Sequence, residues 1–348
     1  MDEMKNNNFA SKISDEDLPE VTVIIRARNE ESNIANCIRS VKKQTYPKDK
    51  LHILVVDNAS TDRTAEIAKE EGAEVIYCDI VSRGAAARVG VQASRTALVA
   101  FLDADAEAPK DWLKKMVKKL LEYNSKNDKI IGVWCRVYDT KTRTAFEEAV
   151  SAILADPARL GFAATGVVFK KAIEECGNFD PSMPYYEEAE LAARMRKMRG
   201  YLFQEVPGVF VHHKARSTVR EYWKQHIDSG IGAALMAKRQ GIRWVMPTVR
   251  RMGVAGLVVL ATITVALGYI LPTIFSIALI LIGWMWFVFK KIRYYPKREK
   301  LSLKAKIWLF ALFWIGIFGD SIGFLIGMIR RKTVTLKVKQ RGCEHAIH

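Results

Sequence analysis

The chain has 348 residues and a formal net charge of +16. The charge is uneven: from Lys290 onward there are 14 Lys or Arg against three acids, which leaves only +5 for residues 1–289. An excess placed beside apolar segments reads as membrane-surface charge rather than a nucleic-acid groove, so nucleic acid is not an expected partner. The five cysteines, Cys37, Cys78, Cys135, Cys176 and Cys343, are odd in number and contain no CxxC pair, which excludes a disulfide framework and a zinc site and fits free thiols.

In chain order, residues 1–19 are polar and mixed in charge, and read as a flexible arm without the apolar core of a secretory signal. A β-branched strand follows over Val21–Ile25, then a helix over Glu31–Gln44 with Ile34, Cys37, Ile38 and Val41 on one face. His52–Val56 is a second strand and Thr61–Glu71 a helix, with Gly72 placed to end it. Glu74–Tyr77 is a third strand, Gly84–Ser94 a helix, and Ala97–Leu102 a fourth strand, short and wholly apolar. Strands alternating with helices predict an α/β fold with a mostly parallel sheet. A helix from Pro109 to Asn124, a strand over Lys129–Val137, strand-like Gly166–Phe169 and a helix over Glu188–Arg199 continue the domain to an amphipathic helix at Thr218–Gln240. That last helix could pack on the sheet or rest Tyr222 and Trp223 at lipid headgroups.

The composition then changes. Gly253–Phe289 contains 37 residues without a charge. One helix of that length would measure about 55 Å against a bilayer core of roughly 30 Å, so a hairpin of two spans with its turn near Gly268–Pro272 fits better. Ile307–Ile329 is a third apolar stretch, holding a single acid, Asp320, and the glycines Gly316, Gly319, Gly323 and Gly327. Arg250 and Arg251 before the hairpin and Lys290, Lys291 and Arg293 after it place both of its ends in the cytosol. Arg330, Arg331 and Lys332 after the third stretch conflict with a simple third span. It could cross tightly against the hairpin or enter and leave on one side. The expected organisation is an arm at 1–19, an α/β domain at 20–240 (a first half about 20–110 and a second about 111–240), a membrane region at 250–332 and a basic tail at 333–348. The whole is expected to be an integral membrane protein with its α/β domain facing the cytosol.

The chemistry gathers at strand ends. Asp103-Ala104-Asp105 leaves the fourth strand where ligands bind in open α/β sheets. Two carboxylates so close repel each other unless a cation joins them, and hard oxygen ligands suit Mg2+ or Mn2+ bridging to phosphates. Arg26-Ala27-Arg28-Asn29-Glu30 follows the first strand and Asp57-Asn58-Ala59-Ser60 the second. Arg83 and Arg88, the acidic run Glu187-Glu188-Ala189-Glu190, and His212-His213 complete the set. Breaking a bond to a phosphate oxygen develops negative charge on the leaving phosphate, which a divalent ion and cations such as Arg83 and Arg88 would stabilise. A hydroxyl acceptor needs a base, and Glu188, crowded by Glu187 and Glu190, would have its pKa raised toward a useful value.

These motifs, in this order over roughly residues 20–220, resemble the family-2 glycosyltransferases. The resemblance implies the GT-A fold, a nucleotide-sugar donor (UDP- or GDP-sugar) and a divalent metal. Arg26, Ala27, Arg28, Glu30 and Asp57 would then hold the donor, with Asp57 near the base or ribose. Asp103, Ala104 and Asp105 would form the metal and diphosphate site, and Glu187 would lie beside the base Glu188. His212 or His213, with His212 first, would complete the metal shell. Arg26 stands where that family commonly has Pro, Asn58-Ala59 where Asp-Gly is usual, and Glu188 where Asp is usual. Arg220–Trp223 only partly echoes the mark of processive synthases, which points to transfer of a single sugar. The expected acceptor is a hydroxyl of a lipid-linked saccharide; a polyprenyl-phosphate acceptor, which needs no base, and a non-catalytic nucleotide-sugar-binding scaffold are the alternatives.

Overall fold

A computed structural model describes residues 13–139, 141–154, 162–266 and 301–329, with short pieces between 274 and 286. One eight-stranded sheet runs in the order β3-β2-β1-β4-β7-β6-β8-β5. Its strands are β1 (Val21–Ala27), β2 (Leu51–Asp57), β3 (Glu74–Tyr77), β4 (Leu98–Asp103), β5 (Ala106–Glu107), β6 (Ile130–Tyr138), β7 (Val167–Phe169) and β8 (Leu202–His213). The first four are mutually parallel; β7 is antiparallel to both β4 and β6, and β6 is parallel to β8.

Alternation along β1 explains why the sheet is covered on both faces. Val21, Val23, Ile25 and Ala27 enter one core with α1 (Ile34–Lys42) and α4 (Trp112–Lys126). Ile24 enters the other, with α3 (Arg83–Ala93) and α8 (Glu187–Arg199). All seven residues of β1 are buried, which makes it the central strand. The period of two carries Arg26 onto the α3–α8 face, and Phe101 directs Asp103 to that same face.

α5 (Ala145–Leu154), α6 (Phe162–Thr165) and α7 (Lys170–Glu175) connect the second half of the sheet. α5 opens with a capping box: Glu147 N–H donates to Thr144 Oγ1 and Thr144 N–H to Glu147 Oε2, each at 3.1 Å. α9 (Val219–Gln240) is capped by Thr218, whose side chain accepts from Glu221 N–H. Tyr222 is buried against Phe146 and His226 rather than placed for headgroups.

α10 (Met246–Ala266) and α11 (Leu303–Ile329) follow. Among the described residues, α11 is the one helix long and apolar enough to cross a membrane, and half of its most apolar window is buried. Its glycines Gly316, Gly319, Gly323 and Gly327 meet α9, and α10, which holds the first part of the expected hairpin, also packs against it. The hairpin turn at 268–272 and the tail at 333–348 lie outside the described residues, as do residues 1–12. Of the expected flexible arm, residues 13–19 are docked: Leu18 is buried in the core and Lys118 Nζ donates to the Ile13 carbonyl.

Candidate functional site

Register sets the site. Arg26 pairs with Asp103 across β1–β4, Ala27 with Asp57 across β1–β2, and Asp57 with Tyr77 across β2–β3. Three motif ends therefore leave the sheet along one line, beside the switch point between β1 and β4, where the chain leaves β1 toward β2 and returns from β3 to the other side. A cleft of about 690 Å3 opens there, lined by Arg26, Ala27, Arg28, Glu30, Arg83, Asp103, Ala104 and Asp105 among others.

Asp103, Asp105 and His213 each offer a ligand atom, and these atoms lie within 4.8 Å of one another. His213 Nε2 is 3.2 Å from Asp105 Oδ1 and 3.5 Å from Asp103 Oδ2. The short β5 makes this possible: Ala106 pairs with His213 and Glu107 with His212. Adjacent strand residues face opposite ways, so only one of the two histidines can reach the carboxylates. It is His213; His212 lies against Phe210 instead, and the expected preference for His212 is reversed. His213 Nδ1 lies 3.2 Å from the Lys214 carbonyl. A carbonyl only accepts, so Nδ1 donates and Nε2 is left toward the carboxylates, the arrangement of a metal-ligating imidazole. Two carboxylate oxygens and one nitrogen fit a divalent cation of the Mn2+ type.

Arg26 is the hub of the floor. Its Nη2 donates to Asp103 Oδ1 at 2.6 Å and its Nη1 to Glu187 Oε1 at 2.5 Å, all three groups being buried. Burial opposes ionisation of both ends, yet Asp103 and Glu187 hold the Arg26 guanidinium more firmly protonated than usual. Burial likewise acts to raise Asp103, but Arg26, Arg83 and His213 outweigh it and hold its carboxyl well below the usual range. His213 is raised, because Asp105 and Asp103 overcome the burial that favours the neutral ring. Arg83 sits with Nη2 3.6 Å from Asp103 Oδ2 and its guanidinium 5.2 Å from the Tyr185 ring centre. Burial and the nearby Asp105 push Glu30 up to about 7.

Glu187 and Glu188 open α8 behind a left-handed residue, Tyr186, at φ 64°. Glu187 is fully buried and its Oε2 accepts no hydrogen bond. Burial first, then the Glu187 charge, push Glu188 well above the usual carboxylate range. Glu190 takes no part in that crowding, being paired with Arg194 at 2.7 Å. The loop before α8 is pressed onto α3 at Gly84, where a Cβ would lie 2.1 Å from the Asp180 carbonyl oxygen. Only glycine permits that approach, and it brings α8 within reach of Arg83 and Arg26.

Asp57 is buried beneath the cleft. Its Oδ2 accepts from Ser60 N–H at 3.3 Å, while Oδ1 is buried without a hydrogen-bond partner. Asn58 pins the loop after β3: its amide nitrogen donates to the Cys78 and Ile80 carbonyls and its oxygen accepts from Ser82 N–H. Ala59 has φ 55°, a conformation favoured by the glycine that the resemblance would place there. Arg88 does not reach the cleft. Five residues beyond Arg83 it lies on another side of α3, donating to the Gly177 and Phe179 carbonyls, so its part is to hold that loop.

Sequence reasoning passed over several cleft residues. Arg216 Nη1 lies 3.3 Å from Asp105 Oδ2, and Tyr185 accepts at its hydroxyl from Gln225 Nε2 at 3.2 Å. Lys214, Lys224 and Asp228 also line the wall. The basic run just after His213 was the available signal; nothing local distinguishes Tyr185.

Residues 22–152 match the family model described as glycosyl transferase family 2. The chain is 35% identical over 151 residues to glycosyltransferase AglE of Haloferax volcanii, covering 38% of this chain and 49% of that protein. It is 25% identical over 250 residues to the dolichyl N-acetyl-alpha-D-glucosaminyl phosphate 3-beta-D-2,3-diacetamido-2,3-dideoxy-beta-D-glucuronosyltransferase of Methanococcus voltae, covering 65% of this chain and 77% of that one. The chain thus spans about half the length of the first relative. Among solved structures, the mannosyltransferase PcManGT from Pyrobaculum calidifontis, in complex with GDP-Man and Mn2+, superposes with a TM-score of 0.56 at 18% identity, covering 92% of this chain and 93% of that one. It shares the fold: a Rossmann-like, mostly parallel sheet flanked by helices.

Proposed function

We propose that this protein, whose residues 22–152 match the glycosyl transferase family 2 model, is a family-2 glycosyltransferase that transfers a single sugar from a nucleotide-sugar donor, a UDP- or GDP-sugar, to a membrane-associated acceptor. The observation that carries the reading is the convergence of Asp103, Asp105 and His213 within 4.8 Å at the sheet's switch point, beside Arg83. In this reading those three residues hold Mn2+ or Mg2+, which when bound neutralises charge on the donor diphosphate.

The chain's own residues supply the rest. Asp57 Oδ1, buried and unpartnered, is an acceptor for a nucleoside hydroxyl or base N–H. Arg83 stands beside Asp103 to meet charge developing on the leaving phosphate. Glu188 is the base. The acceptor oxygen forms a bond to the anomeric carbon as the bond from that carbon to the phosphate oxygen breaks, and the acceptor proton passes to Glu188. One such displacement inverts the anomeric centre. Arg26 orients both halves, seating Asp103 on the donor side and Glu187 on the acceptor side. The acceptor in this reading is a hydroxyl of a lipid-linked saccharide, with the catalytic domain on the cytosolic face.

Donor hydrolysis by purified protein in detergent, across UDP- and GDP-sugars with Mn2+ and with EDTA, tests the proposal. Metal-dependent release of one nucleotide from one sugar is the expected result. Neither binding nor release of any donor by folded protein would overturn it.

A further inference from the structure

α11 is fastened to the catalytic domain at both ends by charged side chains. At its N-terminus Glu148 of α5 accepts from Ser302 N–H at 2.9 Å and from Ser302 Oγ at 2.7 Å. At its C-terminus Lys238 of α9 donates to the Gly327 and Met328 carbonyls at 2.8 and 2.9 Å. An acid at the start and a cation at the end both complement the helix dipole.

Between those ends the helix is seamed to α9. A Cβ on Gly323 would lie 2.1 Å from the Ile227 carbonyl oxygen, and one on Gly230 would lie 2.2 Å from the Asp320 carbonyl oxygen. Backbone therefore touches backbone from both sides. Asp320 Oδ1 is 2.9 Å from His226 Nδ1 inside this seam, which partners the lone acid of the apolar stretch.

α11 has 27 residues, about 40 Å at 1.5 Å per residue. If it crossed a bilayer, Glu148 and Lys238 would stand on opposite sides, and α9, with Lys224 and Asp228 on its cleft face, would be drawn into hydrocarbon with it. Its outer face shows the alternative. Leu303, Ile307 and Phe310 are exposed toward one end and Ile322, Leu325 and Ile329 toward the other, Leu303 at 75% and Ile329 at 81%, with Trp314 and Phe318 half-buried between them. Exposed Lys304 and Lys306 stand at one end of this stripe, and Arg330 and Arg331 follow the other in sequence.

We propose that α11 lies in the plane of the membrane, its outer stripe in the hydrocarbon boundary and both ends on the side of the catalytic domain. An in-plane helix with cations at both ends removes the conflict that a third span creates with the positive-inside rule. It also sets a distance. α9 presents Lys224, Gln225 and Asp228 to the cleft and Ile227 and Gly230 to α11, so one helix, about 10 Å thick, separates the cleft from the membrane platform. Resting on the transferase reading, this restricts the acceptor to lipids whose accepting hydroxyl stands close to the headgroups, on a short saccharide.

The test uses the full chain in sealed membrane vesicles with Cys343→Ser as background and one added cysteine: Lys304→Cys, Arg331→Cys, or Lys69→Cys on α2 (Thr64–Glu70) as the reference for the catalytic domain. A membrane-impermeant maleimide is expected to label all three from the same face. Labelling of Lys304→Cys and Arg331→Cys from opposite faces, or of neither from the face that labels Lys69→Cys, overturns the proposal. For the distance, bimane on Lys224→Cys should be quenched by headgroup-nitroxide lipids at least about threefold more than bimane on Lys69→Cys; equal quenching removes the restriction on acceptor length. Neither readout needs turnover, so failure here is separable from failure of donor hydrolysis.

Discussion

Arg26 donates to Glu187 Oε1 at 2.5 Å, so the first strand of the sheet holds the N-terminus of α8 in place. The same guanidinium holds Asp103 at 2.6 Å. Two carboxylates from distant parts of the chain are thus compensated by one buried cation, at the position where the family resemblance would place a proline.

Removing that cation should damage stability before it damages chemistry. Arg26→Ala leaves Asp103 and Glu187 buried without their partner, and breaking a buried pair typically costs about 3–5 kcal/mol. Chemical denaturation should show a loss on that scale, and Arg26→Ala combined with Glu187→Gln should recover part of it. An unchanged midpoint would mean the pair is not formed.

The two adjacent histidines should behave oppositely. His213→Ala removes an atom 3.2 Å from Asp105 Oδ1 and should lower Mn2+-dependent donor hydrolysis by about 100-fold or more, as should Asp105→Ala. His212→Ala should stay within about threefold of the parent. A larger loss in His212→Ala than in His213→Ala would contradict the β5–β8 register.

Glu188→Gln should lower kcat/KM by about 10²–10⁴, the range for a lost general base, with donor affinity retained. The pH dependence follows from the direction of its shift. Burial and Glu187 raise the Glu188 pKa, and the base must be ionised to act. The rate should therefore climb with pH along a limb lying above the ordinary glutamate range, and that limb should vanish in Glu188→Gln. Retained activity in this variant would favour an acceptor that is already anionic, such as a polyprenyl phosphate.

Ala59→Gly should be neutral to stabilising. Left-handed backbone costs a non-glycine residue about 1–2 kcal/mol, while glycine gives back about 0.5–1 kcal/mol through its freer unfolded chain. A midpoint raised by up to about 1 kcal/mol equivalent is expected; a clear loss would mean that φ 55° at Ala59 is not populated.

The parallel half of the sheet was open to sequence reading because its signals are local. Val21–Ile25, His52–Val56 and Glu74–Tyr77 are β-branched or apolar runs bounded by turn residues, and the structure starts and stops their strands within two residues of those limits. The second half was harder. The sequence reading passed over α5, whose start is set by the Thr144–Glu147 capping box, and β5 is two residues long, too short for any period to mark. Yet β5 decides which histidine meets the carboxylates.

The amino-acid order alone therefore determined the alternating architecture, the acidic and basic residues at the strand ends and the apolar stretches near the C-terminus, because strand and helix periods and charge depend on neighbours in the chain. Tertiary structure decided the rest. It joined Arg26 to Glu187, placed His213 rather than His212 beside Asp105, turned Arg88 toward carbonyls and laid α11 along α9. Each of these depends on strand register or on helix seams between segments far apart in sequence, where a shift of one residue turns a side chain to the opposite face.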